Sequence, residues 1–120
     1  MMKKICVLED DNDIRELLEM IFVSAGFDVR AFSSVTDFFA RDSSVIPDVF
    51  LLDVMLPDGN GVDVCRELHS LKDTSHIPVV MMSANANSEQ IFAKCGATGF
   101  ISKPFDIAYM LDTVNEAIYA

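Results

Sequence analysis

The sequence predicts an α/β fold in which a doubly wound, five-stranded parallel sheet carries helices on both faces. Short continuous apolar runs recur along the 120 residues, and segments with helical spacing lie between them. Short loops marked by Gly, Pro, Asn or Asp join the two kinds, which is how repeated βα units read in sequence. Right-handed crossovers between successive parallel strands then favour the strand order 2-1-3-4-5.

The elements follow in order. Ile5-Cys6-Val7-Leu8 and Val49-Phe50-Leu51-Leu52 are unbroken apolar runs, as central parallel strands require when helices cover both faces. Pro78-Val79-Val80-Met81-Met82 is a third. Asp28-Val29-Arg30-Ala31-Phe32 alternates polar with apolar residues and Phe100-Ile101-Ser102 is short, so both are assigned to sheet edges. Between the first two strands, Ile14, Leu17, Leu18, Ile21 and Phe22 mark one helix face, with Asp13 and Glu16 as a capping pair and Gly26 closing the helix. Asp11 also reads as a cap. Val35, Phe38 and Phe39 indicate a short second helix. Val62, Cys65 and Leu68 follow Asn60-Gly61 and indicate a third, ending before Pro78. Ile91 and Phe92, ended by Gly96, indicate a fourth; Ile107, Leu111, Val114 and Ile118 carry the last. This order of elements is that of a flavodoxin-like sheet.

No linker-like stretch interrupts the chain, so residues 1–120 read as one domain. No apolar run approaches the roughly 20 residues that a membrane span needs, and the start lacks a signal-peptide pattern. The expected location is the cytoplasm, with no membrane partner. Cys6, Cys65 and Cys95 are odd in number and widely spaced, which fits buried free thiols better than a disulfide framework or a zinc site. Nineteen acidic residues against nine basic ones give a net charge of −10, which opposes direct binding to nucleic acid.

In doubly wound sheets, ligands sit at the carboxyl ends of the strands near the point where strand order reverses. Glu9, Asp10 and Asp11 follow the first strand, Asp53 the third, Ser83 the fourth and Lys103 the fifth. Helix capping does not explain Asp53, because Val54, Met55, Leu56 and Pro57 separate it from the Asp58-Gly59-Asn60-Gly61 turn. Carboxylates of Glu9, Asp10 and Asp53 about 5 Å apart repel by roughly 3 kcal/mol per pair at an effective dielectric near 20. A hard cation offsets this, and few carboxylates with open water positions suit Mg²⁺ better than zinc or a closed Ca²⁺ cage. Lys103 supplies one further positive charge, for a carboxylate or for an anionic substrate.

These residues together resemble the receiver domains of bacterial two-component response regulators, of the chemotaxis-regulator kind, across essentially the whole chain. Leu8-Glu9-Asp10-Asp11 looks like the acidic pair and Leu52-Asp53-Val54-Met55-Leu56-Pro57-Asp58-Gly59 like the phosphorylation loop. Ser83-Ala84 looks like the hydroxyl position and Lys103-Pro104-Phe105 like the lysine motif. The resemblance implies that Asp53 takes a phosphoryl group from a phosphohistidine of a sensor histidine kinase or phosphotransfer protein. It also implies a Mg²⁺ ion, replaceable by Mn²⁺, held by Asp10, Asp53 and the backbone carbonyl of Met55, with Glu9 acting through water. Ser83 and Lys103 would hold the phosphoryl oxygens, and Lys103-Pro104 would be cis. Phe100 stands where the family has its aromatic switch residue, most often Tyr, and would turn inward as Ser83 moves; read as residue chemistry alone, it is an edge-strand core Phe. Such a domain is not an enzyme toward other substrates, since it catalyses only its own phosphorylation and dephosphorylation, and it controls a downstream protein or an output domain.

Three other readings stand beside this one. A small aspartyl-phosphate phosphatase usually has a second Asp two residues after the first, where this chain has Met55. A flavin-binding module wants a phosphate loop after the first strand, where Glu9-Asp10-Asp11 would repel it. A receiver-like interaction module that is never phosphorylated is the third. Compared with the family, the segment from Ser83 to Lys103 is about two residues short, which places a fourth helix of about two turns over residues 88 to 95.

Overall fold

Parallel pairing of five strands organises the protein, described by a computed structural model for residues 2–84 and 95–119. In chain order the elements are β1 (Lys4–Leu8), α1 (Asn12–Ser24), β2 (Asp28–Phe32), α2 (Val35–Phe39) and β3 (Val49–Asp53). There follow β4 (Met55–Leu56), β5 (Gly59–Asn60), α3 (Gly61–Ser70), β6 (Val79–Ser83), β7 (Gly99–Ser102) and α4 (Ile107–Tyr119). The large sheet has the order β2-β1-β3-β6-β7, with β2 and β7 at its edges as their sequences require. In terms of the five parallel strands this is 2-1-3-4-5. Residues 85–94 lie outside the described residues, and with them nearly all of the expected fourth helix.

Side-chain alternation in the central strands divides the core in two. Cys6, Leu8, Phe50, Leu52, Val79 and Met81 point to one face and pack with Phe38 of α2 and Val62, Cys65 and Leu68 of α3. Ile5, Val7, Val49, Leu51, Val80 and Met82 point to the other and pack with Leu18 and Phe22 of α1 and Met110 and Val114 of α4. Every residue of β3 and β6 is buried, which is why both read as unbroken apolar runs. The three cysteines are buried and none is in a disulfide among the described residues; burial pushes the Cys6 thiol up to about 11, so it stays protonated.

Three local findings differ from the sequence reading. The cap of α1 is Asp11, whose side chain accepts from the Ile14 amide at 2.9 Å, and the Asp13–Glu16 pair is not used; Asp13 lies one residue inside the first turn. The segment after Asp53 is a small antiparallel hairpin, β4 with β5, rather than a simple turn. On α4 the buried line is Met110, Val114 and Ala117, with Leu111 and Ile118 at its margin, while Ile107 is 49% exposed. The helix packs against β3, β6 and β7 with Met110, Val114 and Ala117 turned to the core, which leaves the first-turn Ile107 outside it. Among the described residues, no helix is long and apolar enough to cross a membrane. The Lys103–Pro104 peptide bond is cis.

The rotated face of α4 sets an ordering of stabilities. Met110→Ala is expected to lower the unfolding free energy by about 2–5 kcal/mol, as for a fully buried methionine, and Ile107→Ala by under about 1 kcal/mol. Urea denaturation of both variants measures this; a larger loss at Ile107 would return the helix to the orientation read from sequence.

Candidate functional site

The same alternation that splits the core assembles the site. Ile5 and Val7, Val49 and Leu51, and Ile101 all face the α1–α4 side. Continuing each row by two residues reaches Glu9, Asp53 and Lys103, so three side chains far apart in sequence leave the sheet on one face at one rim. Ser83 continues the opposite row, after Val79 and Met81. It meets the rim through the backbone, since the Lys103 amide donates to the Ser83 carbonyl at 2.9 Å.

Glu9 and Asp53 are buried, at 1% and 7% exposure, whereas Asp10 is exposed. One carboxylate oxygen from each of the three lies within 4.8 Å of the others. Lys103 Nζ lies 2.5 Å from Glu9 Oε1 and 3.2 Å from Asp53 Oδ1. The second Glu9 oxygen accepts from the Asp11 amide at 3.2 Å, and Asp53 Oδ1 accepts from the Val54 amide at 2.9 Å. Ser83 is buried at the same rim; Met55 turns its side chain outward, at 80% exposure. Phe100 pairs with Met81, two rungs below the Ser83–Ser102 rung, and is half-buried against the α2–α3 core. The rim thus brings together Glu9, Asp10, Asp53 and Lys103, with Ser83 beside them and Phe100 about 7 Å down the sheet.

Electrostatics at the rim follow from burial. Desolvation pushes the Glu9 carboxyl above its ordinary range, the Lys103 hydrogen bond pulls it back, and the Asp53 charge adds to the rise. For Lys103, burial acts to lower the ammonium pKa, but the Glu9 hydrogen bond and the Asp53 charge outweigh it and the net direction is up. Lys103 is therefore a fixed cation shared by two carboxylates. That leaves more negative than positive charge at the rim, a donor set of hard oxygens that suits a hard divalent cation.

Fold and rim together define an α/β domain with an acidic cluster at the carboxyl ends of its parallel strands. The family model described as the response regulator receiver domain matches residues 5–115. The transcriptional regulatory protein GltR of Pseudomonas aeruginosa is 35% identical over 115 residues, covering 94% of this chain and 48% of that protein. The DNA-binding response regulator MtrA of Mycobacterium tuberculosis is 35% identical over 107 residues, covering 88% of this chain and 46% of that protein. The receiver domain of a sensor histidine kinase from Pseudomonas aeruginosa, solved with a magnesium ion coordinated in its active-site cleft, superposes with a TM-score of 0.90 at 20% identity over the whole of both chains. The chain belongs to the response-regulator receiver domains of two-component systems. It spans about half the length of the curated relatives it matches.

Three residues that support the site were not singled out from sequence. Arg15, on the second turn of α1, donates to the carbonyls of Glu9 at 3.1 Å and Asp10 at 3.4 Å, bracing the acidic pair. Asp58, at the tip of the β4–β5 hairpin, accepts from the Val35 amide at 2.8 Å, the Thr36 amide at 2.9 Å and the Thr36 hydroxyl at 2.7 Å. These bonds, the Thr36 hydroxyl first, hold the Asp58 carboxyl below its ordinary range, and they pin the hairpin to the start of α2. Gly61 donates to the Val54 carbonyl at 2.8 Å. A Cβ at Gly61 would stand 2.0 Å from the Asp53 carbonyl oxygen, and that neighbour is backbone. Gly61→Ala is expected to displace the Asp53 backbone and destabilise the fold by about 1–3 kcal/mol, the usual range for overpacking. Urea denaturation checks it; wild-type stability would mean that the loop yields freely and that Gly61 does not hold Asp53 in place.

Proposed function

We propose that Asp53 accepts a phosphoryl group from a phosphohistidine on a partner kinase or phosphotransfer protein, and that the domain then signals by changing conformation. The observation that carries this reading is the contact of Lys103 with two carboxylates, Glu9 and Asp53, while a third, Asp10, stands within 4.8 Å of both. An Asp53 oxygen attacks phosphorus, the bond from phosphorus to the donor nitrogen breaks, and its electron pair returns to the imidazole. Transfer of this kind depends on positioning and charge neutralisation more than on covalent chemistry by other groups. Lys103 is placed to exchange part of its contact with Asp53 for a phosphoryl oxygen, and the Ser83 hydroxyl takes another.

Asp10, Asp53 and the Met55 backbone carbonyl would hold Mg²⁺, or Mn²⁺ in its place, with Glu9 acting through water. When bound, the cation neutralises charge on the carboxylates and on the incoming phosphoryl group. The carboxylate donor set supports this, and the magnesium ion in the related kinase receiver domain is consistent with it. Phe100, which has no hydroxyl, would report phosphorylation by burial alone, moving into space vacated as Ser83 turns toward the phosphoryl group. Residues 1–120 act as a single cytoplasmic phosphoacceptor domain that modifies only itself and controls a downstream protein or an output domain. The longer regulators it resembles are named for transcription and DNA binding; the acidic charge of this chain makes direct contact with nucleic acid unfavourable.

Intact mass after incubation with acetyl phosphate and Mg²⁺ tests the proposal. Wild type is expected to gain one phosphoryl group and Asp53→Asn none. Equal gain in both proteins, or no gain in wild type with a competent phosphodonor, would overturn it.

A further inference from the structure

A small cationic cavity lies along the α2 side of β1 and β2, between Lys4 and Phe32. It measures about 120 Å³ and sits where β1, β2 and the loop after α2 meet, lined among others by Lys4, Cys6, Arg30, Arg41, Asp42 and Val45. About four waters, at roughly 30 Å³ each, would fill that volume. Three of the chain's nine basic residues line it, although the net charge is −10. None of the three has an ion-pair partner among the described residues. Asp42, the acidic lining residue, turns its carboxylate onto its own loop, accepting from the Ser44 amide at 3.0 Å and the Ser44 hydroxyl at 2.6 Å.

Arg41 is the anchor. Its guanidinium carbon lies 4.6 Å from the Phe38 ring centroid and 5.4 Å from that of Phe50, and Nη1 donates to the Phe38 carbonyl at 3.0 Å. Two rings and one carbonyl thus fix the orientation of the guanidinium group. Its Nε is buried away from solvent and has no hydrogen-bond partner among the described residues. The guanidinium group lines the cavity and has no ion-pair partner among the described residues.

We propose that this cavity binds a small tetrahedral oxyanion of the phosphate class, held by Arg41 with Arg30 and Lys4 supplying long-range attraction. The site is distinct from the acidic rim: Cys6, Arg30 and Phe32 face the α2–α3 side of the sheet, whereas the side chains of Glu9, Asp53 and Lys103 leave it on the other face. In Mg²⁺-free buffer the carboxylates of the rim repel phosphate, which leaves the cationic cavity as the favoured place.

The test is a ¹⁵N NMR titration of the wild-type chain with inorganic phosphate, without Mg²⁺, at ionic strength held constant with chloride. Saturable shifts are expected at the amides of Cys6, Arg30 and residues 41–45, with none at Asp53 or Lys103. Arg41→Gln should weaken binding by roughly tenfold or more, since the anion loses the one lining cation whose orientation is fixed by the aromatic rings. Arg30→Gln, which leaves the ring stack intact and guards against misfolding of the first variant, should weaken it by about threefold. Shifts that rise linearly without saturating, that chloride alone reproduces, or that persist unchanged in the Arg30→Gln protein would overturn the proposal. Acetate binding as tightly as phosphate would overturn the assignment to the phosphate class.

Discussion

Lys103 in contact with both Glu9 and Asp53 is the interaction on which the rest of the site depends. It joins the loop after β1, the end of β3 and the end of β7, so it closes the rim across two inner strands and one edge strand. Taking one partner from a buried ion pair leaves the other charge uncompensated, a loss of about 3–5 kcal/mol in comparable cases. Yet the pair does not balance the site. Asp10 stands within 4.8 Å of both carboxylates, and each additional carboxylate contact at that separation costs roughly 3 kcal/mol at an effective dielectric near 20. The rim is therefore a strained charge distribution, of the kind that a divalent cation relaxes.

That strain is tolerated because the sheet beneath it is over-determined. β3 and β6 are buried along their whole length and packed on both faces. Their registers, with Leu52 opposite Met81 and Asp53 opposite Met82, set where each chain leaves the sheet. Around this rigid base, the supporting contacts are local: Arg15 braces the carbonyls of the acidic pair, Asp58 hooks the hairpin to α2, and Gly61 lets α3 begin against the Asp53 carbonyl. Function lives at the strand ends and loops, where the backbone is held by a few named bonds rather than by the core.

Most of the fold was legible because a doubly wound sheet writes its pattern twice, once as unbroken apolar strands and again as helices of period 3.6. The site was legible in outline because polar residues stood at the ends of those strands. What escaped did so for local reasons. Parity along each strand already determined that Glu9, Asp53 and Lys103 would share a face and Ser83 would not, but this follows only once register is known, since a one-residue slip reverses every face. Asp11 and Asp13 are equivalent in composition, and only backbone geometry selects Asp11 as the cap of α1. The apolar stripe of α4 was read one position off because Ile107 and Met110 both fit a helical period; burial beneath the sheet decides between them. Asp58 and Gly61 looked like ordinary turn residues, because the partners that give them a role, Thr36 and the Asp53 carbonyl, are remote in sequence or in the backbone.

The claim at the centre of this account is that repulsion within the carboxylate cluster is held in the folded protein and released by a cation. Urea denaturation of wild type and Asp10→Asn, each with and without Mg²⁺, measures it directly. Without metal, Asp10→Asn is expected to be at least as stable as wild type, because one repelling charge is gone. With Mg²⁺ at ten times its dissociation constant, wild type is expected to gain about 1.4 kcal/mol from binding to the folded state alone, and Asp10→Asn less than half of that. A metal-free Asp10→Asn protein less stable than wild type, with the full Mg²⁺ gain retained, would contradict the account.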